Sequence, residues 1–302
     1  MANDTAGDPM SLKKWSRKST RRISAQIQEK DIHICANTTA NYLKELNYSL
    51  KSNRKTIAET QHPDRNQQFE IIAQMKDKFK RLNHPYISVD CKKKEQVGNF
   101  KNAGQAWCVE PEQVFTHDFR SCALGIANPY GIYEPLINMG TVVVGTSYDT
   151  PEFSVESIAF WLNNFGFKNY ADLSQLLIFC DCGGSNSYRA RAWKYGIFKK
   201  ICQPFKISVT VCHYPSGASK WNPVEHRLFS YISMNWAGVP LRNYDVILKY
   251  IATTTTNQGL TVNAILNDKT YEKGVKISDN QMKEIKIQKY HTLPQWNYTI
   301  FN

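Results

Sequence analysis

Three acidic residues stand where carboxylates from distant parts of the chain can be brought together. Asp90 closes the apolar run YISVD, Asp181 closes LLIFCD, and Glu225 lies just inside the helix start WNPVEHRLFSYI. Short apolar runs bounded by turn residues read as buried strands, so two of the acids sit at strand ends and the third on a helix. Carboxylate oxygens are the natural ligands of hard cations. Two such ions about 3.5–4 Å apart can activate a nucleophile and stabilise the leaving oxygen of a phosphodiester. Asp90, Asp181 and Glu225 are therefore the candidate catalytic residues and the candidate ligands of Mg2+, for which Mn2+ can substitute. The expected chemistry is the cutting or transfer of nucleic-acid strands.

Each acid also has a local explanation. Asp90 and Asp181 could cap turns, Asp181 ahead of Gly183-Gly184. With Asn222 as N-cap and Pro223 at the first helical position, Glu225 falls at the third, where a glutamate can complete a capping box. Caps alone do not require acids at all three places. The 44 positions from Asp181 to Glu225 hold one helix, one strand and one loop, which suits a shared site.

Composition points to a polyanionic partner. The 302 residues carry 38 Lys/Arg against 26 Asp/Glu, a net charge of +12, and 42% hydrophobic content is ample for a core. No apolar stretch approaches the ~20 residues of a membrane-spanning helix, and the basic N-terminus has no apolar signal core. The expected compartment is the cytoplasm, with no membrane partner. Eight cysteines scattered without a C-x-x-C pair fit reduced thiols in that compartment.

The charge is uneven. Residues 1–85 hold 16 Lys/Arg against 9 Asp/Glu, and the stretch Lys13–Arg22 contains six basic residues and no acid. Ile23 and Ile27 form one helical stripe, the break DIHICAN follows, and Ala40, Leu43 and Leu46 form a second stripe after a possible Asn37 cap. That order predicts a helix-turn-helix. Arg17, Arg21 and Arg22 are placed to meet phosphates, and Thr38, Thr39, Asn41 and Lys44 lie on the outer face of the second helix, where they could reach phosphates and base edges. A third helix, Asp64–Leu82, carries Phe69, Ile72, Met75 and Phe79 on one face and is expected to pack and connect. Residues 1–85 thus form a basic, helical DNA-binding module.

From Tyr86 the pattern changes to strands and helices, making residues 86–302 a second domain. Tyr86–Cys91, a returning stretch near Gly98–Ala103, Gly125–Met139 and Thr141–Ser147 predict an initial hairpin sheet. A helix opened by Pro151, a strand Leu176–Cys180, a helix Tyr188–Cys202, a strand Ile207–His213 and the helix after Asn222-Pro223 complete the series. This α/β order is the ribonuclease-H-like plan, which brings the strand ends at Asp90 and Asp181 together and lets a helix supply Glu225.

The segments YISVDCKKKEQVGNFKNAG, LLIFCDCGGSNSYRARAWK, ISVTVCHYPSGASKWNPVEHRLFSYIS and TTTTNQGLTVNA, with KWSRKSTRR and LKELNYSLKSNRKT earlier and QWNYTIF at the close, resemble the Rhodopirellula-type DDE transposases of bacterial insertion sequences. The resemblance runs over nearly the whole chain. It implies Asp90, Asp181 and Glu225 as the catalytic triad of a Mg-dependent DNA transposase, the residues already singled out by their contexts. Partners would be double-stranded DNA, as transposon ends and target, and further copies of the chain, because two ends must be cut and joined in concert. Family members usually carry more helical sequence ahead of the KWSRKS-like segment, so an N-terminally truncated form is expected. The rival reading is an inactive DNA-binding remnant or regulator.

Around the triad, Lys92, Lys93, Lys94, Arg189 and Lys220 are candidates for holding DNA, and Trp221 for stacking on a base. At least one of Lys92–Lys94 should share a face with Asp90 if the strand continues. Ser185 and Asn186 read as caps of the following helix, His213 and His226 as structural, and Trp107, Trp161, Trp193, Trp236 and Trp296 as core.

Overall fold

The computed structural model describes residues 5–7, 14–16, 18–51 and 62–302. The chain divides into two compact units, Met1–Ile57 and Ala58–Asn302. In the smaller unit, β1 (Thr5–Gly7) and β2 (Lys14–Ser16) pair antiparallel, and α1 (Thr20–Gln28) precedes α2 (Ala36–Glu45). Ser19 caps α1 by accepting the Arg22 N–H, and Ile23 is its buried residue. Cys35, rather than Asn37, caps α2 through its sulfur. Thr39 is 2% exposed and its hydroxyl donates to the Cys35 carbonyl at 3.0 Å. The expected base-contacting role of Thr39 is therefore corrected: its side chain faces inward. Arg21, Arg22, Asn41 and Lys44 are exposed and Thr38 half-buried, while Arg17 lies outside the described residues.

The larger unit begins with α3 (Arg65–Arg81). Read from sequence as part of the basic module, α3 instead packs on the sheet: Ile72, Met75 and Phe79 join Tyr86, Leu177, Phe179 and Tyr214 in one cluster. Gln68, fully buried, donates to the His213 carbonyl at 2.8 Å and exchanges hydrogen bonds with the Asn297 side chain. Burial of an amide without partners is costly, so these bonds fix the helix in place.

The sheet follows the expected plan. Antiparallel strands β3 (Tyr86–Cys91), β5 (Gly125–Glu134) and β6 (Met139–Gly145) are joined on the β3 side by parallel β7 (Gln175–Cys180) and β8 (Ser208–His213). The return stretch expected near Gly98–Ala103 is not a strand; the short β4 (Glu95–Val97) lies just ahead of it and pairs with β5. Between β6 and β7 lie α4 (Pro151–Trp161) and the short α5 (Phe167–Asn169); between β7 and β8 lie α6 (Arg191–Ile197) and α7 (Gln203–Phe205). The chain continues through α8 (Ser230–Asn235), α9 (Tyr244–Ala252), β9 (Thr261–Asn267), α10 (Asp279–Lys283), β10 (Lys286–Lys289) and β11 (Asn297–Phe301). Strand order is β10-β11-β8-β7-β3-β5-β6-β9, so the later strands widen both edges of the core sheet.

Period-two alternation divides β3 between two faces. Ile87 and Val89 enter a core with α4 and α6, including fully buried Trp161 and Trp193. Ser88 and Asp90 point to the opposite face, where Val224, Leu228, Phe229 and Ile232 cover β5 and β6. Trp107, expected in a core, stands fully exposed in the long connection from β4 to β5.

Candidate active site

β3 and β7 are parallel neighbours with Ser88 beside Phe179, and continuing that register by two residues sets Asp181 beside Asp90. Asp90 is the penultimate residue of its strand and Asp181 the first residue beyond its own. Glu225 arrives from the other side, at the start of a π turn, Glu225–Phe229, that runs into α8. Such turns rotate side chains out of the ordinary helical register and occur often at functional sites.

The helix comes close because two sheet positions lack side chains. Gly131 is the cross-strand partner of Asp90, and a methyl group there would lie 2.5 Å from the Phe229 ring and 3.0 Å from Val224 Cγ2. At Gly140 it would lie 2.5 Å from Leu228 Cδ1. Phe229 and Leu228 are buried and have little room to yield.

The capping-box explanation of Glu225 fails here. The Asn222 side chain is turned into the sheet, where its Nδ2 donates to the Val89 carbonyl at 3.1 Å and its Oδ1 accepts from the Ser88 hydroxyl. Glu225 has a side-chain hydrogen bond with Asp90 instead.

The charges oppose one another. Burial, then the Asp181 carboxylate, push Asp90 up to about 8, against the pull of the Cys91 N–H that donates to Asp90 Oδ1 at 2.7 Å. Asp181 is pushed up to about 6, chiefly by burial, against a hydrogen bond from the Gly183 N–H and with added repulsion from Asp149 and Glu225. Burial also raises Glu225, while His226, Lys92 and the bond with Asp90 hold it down.

Asp149 is the acid that sequence reasoning missed. Its charge bears on both Asp90 and Asp181, and its Oδ1 is buried without a hydrogen-bond partner. It directly precedes Thr150, the N-cap of α4, at the sheet edge where β3 ends and β6 leaves. An acid one position ahead of an already capped helix was the available signal.

Asp181 is held from behind. Its carbonyl accepts from His213 Nδ1 at 2.8 Å, which requires the Nδ1–H tautomer, so His213 Nε2 accepts from the Tyr298 hydroxyl at 3.0 Å. The Trp193 indole N–H donates to that hydroxyl at 3.1 Å. Burial pushes His213 down to about 4, keeping the imidazole neutral. The expected cap residue Asn186 serves another purpose, accepting from the Tyr130 hydroxyl at 2.9 Å and tying the turn after Asp181 to β5. Ser185 Oγ is buried without a partner, and neither residue caps α6, whose N-cap is Ala190.

The expected DNA-holding residues separate into two groups. Lys92 is corrected: it is turned inward, pairing with Glu95 at 2.7 Å and lying 4.7 Å over the Trp236 ring. Lys93, Lys94, Arg189 and Lys220 are exposed, and Trp221 is 53% exposed beside Phe69 and Lys220. Arg189 and Tyr188 border a cavity of about 470 Å3 that reaches Asp181, Gly183 and Ser216.

The profile of the Rhodopirellula transposase DDE domain matches residues 1–302. The chain belongs to this family. No curated protein sequence matches it. Among solved structures, this DDE transposase is similar to the Mos1 mariner paired-end complex with Mn, with a TM-score of 0.46 and 13% identity over 81% of this chain and 73% of that one. The Mos1 strand transfer complex gives 0.45 and 13%, over 78% of this chain and 65% of the other.

The donor set of the transposase suits a hard divalent cation: oxygen ligands, partly or wholly buried, carrying more like charge than burial tolerates, with one carboxylate oxygen of Asp149 unpartnered. Among the described residues, no group of three His, Cys, Asp or Glu side chains stands close enough to hold an ion as it is. The chemistry of the site fits a metal, in a set of ligands more open than a closed cage. No helix among the described residues is long and apolar enough to cross a membrane.

Proposed function

We propose that this transposase cuts and joins double-stranded DNA at Asp90, Asp181 and Glu225 with Mg2+, or Mn2+ in its place. The observation that carries this reading is the convergence of the three acids, with Asp90 and Asp181 at the ends of neighbouring parallel strands and Glu225 hydrogen-bonded to Asp90. Asp90, Asp181 and Glu225 would hold the ions, and Asp149 borders them. Bound divalent ions supply Lewis acidity toward the scissile phosphate and make a nearby water or hydroxyl a better nucleophile.

The chain's own groups orient that arrangement. The N–H groups of Cys91 and Gly183 each donate to one of the carboxylates, and His213 fixes the backbone of Asp181. Water releases a 3′-hydroxyl in the first reaction, and that hydroxyl attacks a second phosphodiester in the next, with no covalent protein intermediate. Arg189, Lys93, Lys94 and Lys220 lie exposed to meet phosphates, and Trp221 to stack on a base. Two ends joined in concert call for at least two protomers on DNA.

The test uses duplexes carrying the ends of the element that encodes the chain. Nicking and joining should need Mg2+ or Mn2+ and stop on chelation. Cleavage that persists in EDTA would overturn the metal-dependent reading.

The smaller unit is proposed to bind DNA through α1 and α2. Replacing Arg21 and Arg22 with alanine should weaken binding to all sequences and flatten the salt dependence by roughly 0.9 per lost phosphate contact. Replacing Asn41 should change sequence preference instead. An unchanged salt slope in the arginine variant would remove α1 from the interface.

A further inference from the structure

β3 and the start of the Glu225 helix are joined by side chains that neither hold a metal nor face solvent. Ser88 and Asn222 are both fully buried. The Ser88 hydroxyl donates to Asn222 Oδ1, and the same Ser88 oxygen accepts the Val224 N–H at 2.9 Å. Asn222 completes the arrangement by donating from Nδ2 to the Val89 carbonyl at 3.1 Å. Every polar atom of the two side chains that faces the junction has a partner, apart from the second amide hydrogen. The free N–H at a helix start, ordinarily capped by a residue of its own chain segment, is here capped by a strand 136 positions earlier.

The register gives this junction its meaning. Ser88 and Asp90 are two apart on a strand and share a face, and Asn222 and Glu225 are three apart across a helix start, where such residues share a side. Joining Ser88 to Asn222 therefore sets Asp90 opposite Glu225. The two acids are themselves joined by a side-chain hydrogen bond, which this junction keeps in register.

We propose that Ser88 and Asn222 form a latch that fixes the start of the Glu225 helix against β3, so that Glu225 stays within reach of Asp90 when a divalent ion gathers the ligands. The inference rests on the catalytic reading above. The latch residues are positioning residues and touch neither substrate nor ion. Losing the latch frees the helix start that carries Glu225 to shift from β3, so the ion must first recover it. The cost falls on metal affinity more than on the reaction at saturating metal.

Ser88→Ala, Asn222→Ala and the near-isosteric Ser88→Cys proteins would be compared with the unaltered chain and with Asp181→Asn. Two readouts apply: Mn2+ binding to the protein–DNA complex by calorimetry, and the metal concentration giving half-maximal cleavage. The latch predicts about tenfold or greater weakening of both in the Ala variants, an intermediate effect in Ser88→Cys, unchanged affinity for DNA, and recovery of most of the rate at high metal. A lowered melting temperature with unchanged Mn2+ affinity and metal requirement would mean a purely structural role and overturn the latch. Should the Ala variants fail to fold, Ser88→Cys with unaltered metal affinity would overturn it equally. If the unaltered chain binds no Mn2+ at this site and Asp181→Asn cleaves as well as it does, the catalytic reading falls and the latch with it.

Discussion

Asp90→Asn, Asp181→Asn and Glu225→Gln are each expected to lower DNA cleavage by about 10³-fold or more, because groups that act as one unit fail together. Each replacement removes a ligand charge and almost no volume, so circular dichroism and DNA affinity should stay as they are. A further sign separates this expectation from simple damage. With metal absent, the Asp90→Asn protein should melt higher than the unaltered one near neutral pH, since Asp90 must take up a proton to be buried beside Asp181 and asparagine need not. Full cleavage by the Asp181→Asn protein would refute the assignment of the triad.

The second large effect is on stability against pH in metal-free protein. Asp90 goes from an ordinary value of 3.8 to about 8, and Asp181 from 3.8 to about 6. A carboxyl raised by folding binds its proton more tightly in the native state, so it favours the native state most below the unfolded value and loses that contribution as pH rises through the folded one. The metal-free protein should therefore lose stability from about pH 4 to 8, with the Asp181 portion complete by about pH 6. Saturating Mg2+ should flatten the dependence by replacing protons as the neutralising charge. Thermal melts at several pH values, with and without Mg2+, measure this directly. A metal-free stability that rises steadily with pH across this interval would contradict the opposed charges described for the site.

The convergence of the three acids was legible because strand ends announce themselves. YISVD and LLIFCD are too apolar and too short to be anything but buried strands, and their closing acids fall at one edge once the strands pair in parallel. The ribonuclease-H-like order followed from the same alternation. Other residues depended on tertiary contacts that no local pattern contains. Asn222 has every property of an N-cap, yet Ser88 offers its amide a buried partner and takes over the capping itself. Thr39 was read as outward by its hydroxyl, although it lies four residues before Leu43 on the side of α2 that the apolar stripe also uses, and the Cys35 carbonyl satisfies that hydroxyl within the helix. Lys92 was assigned to DNA by its charge, while Glu95 and the ring of Trp236 draw it inward. Asp149 was hidden by the helix start after it, since Thr150 and Pro151 already explain that turn without an acid. The helix α3 was grouped with the basic module because the strand pattern begins only at Tyr86, and Gln68 shows that it packs on the sheet.

Gly131 and Gly140 carry a requirement of this chain that contains no charge. The helix bearing Glu225 rests where those two residues leave space, and Phe229 and Leu228 fill it. A related gene copy could keep all three acids and still be a relic if a bulkier residue occupied either position, because its helix would sit too high for the acids to meet. When decaying copies of mobile elements are sorted by sequence, the pattern to check is therefore five positions rather than three, two of them recognised by what is missing.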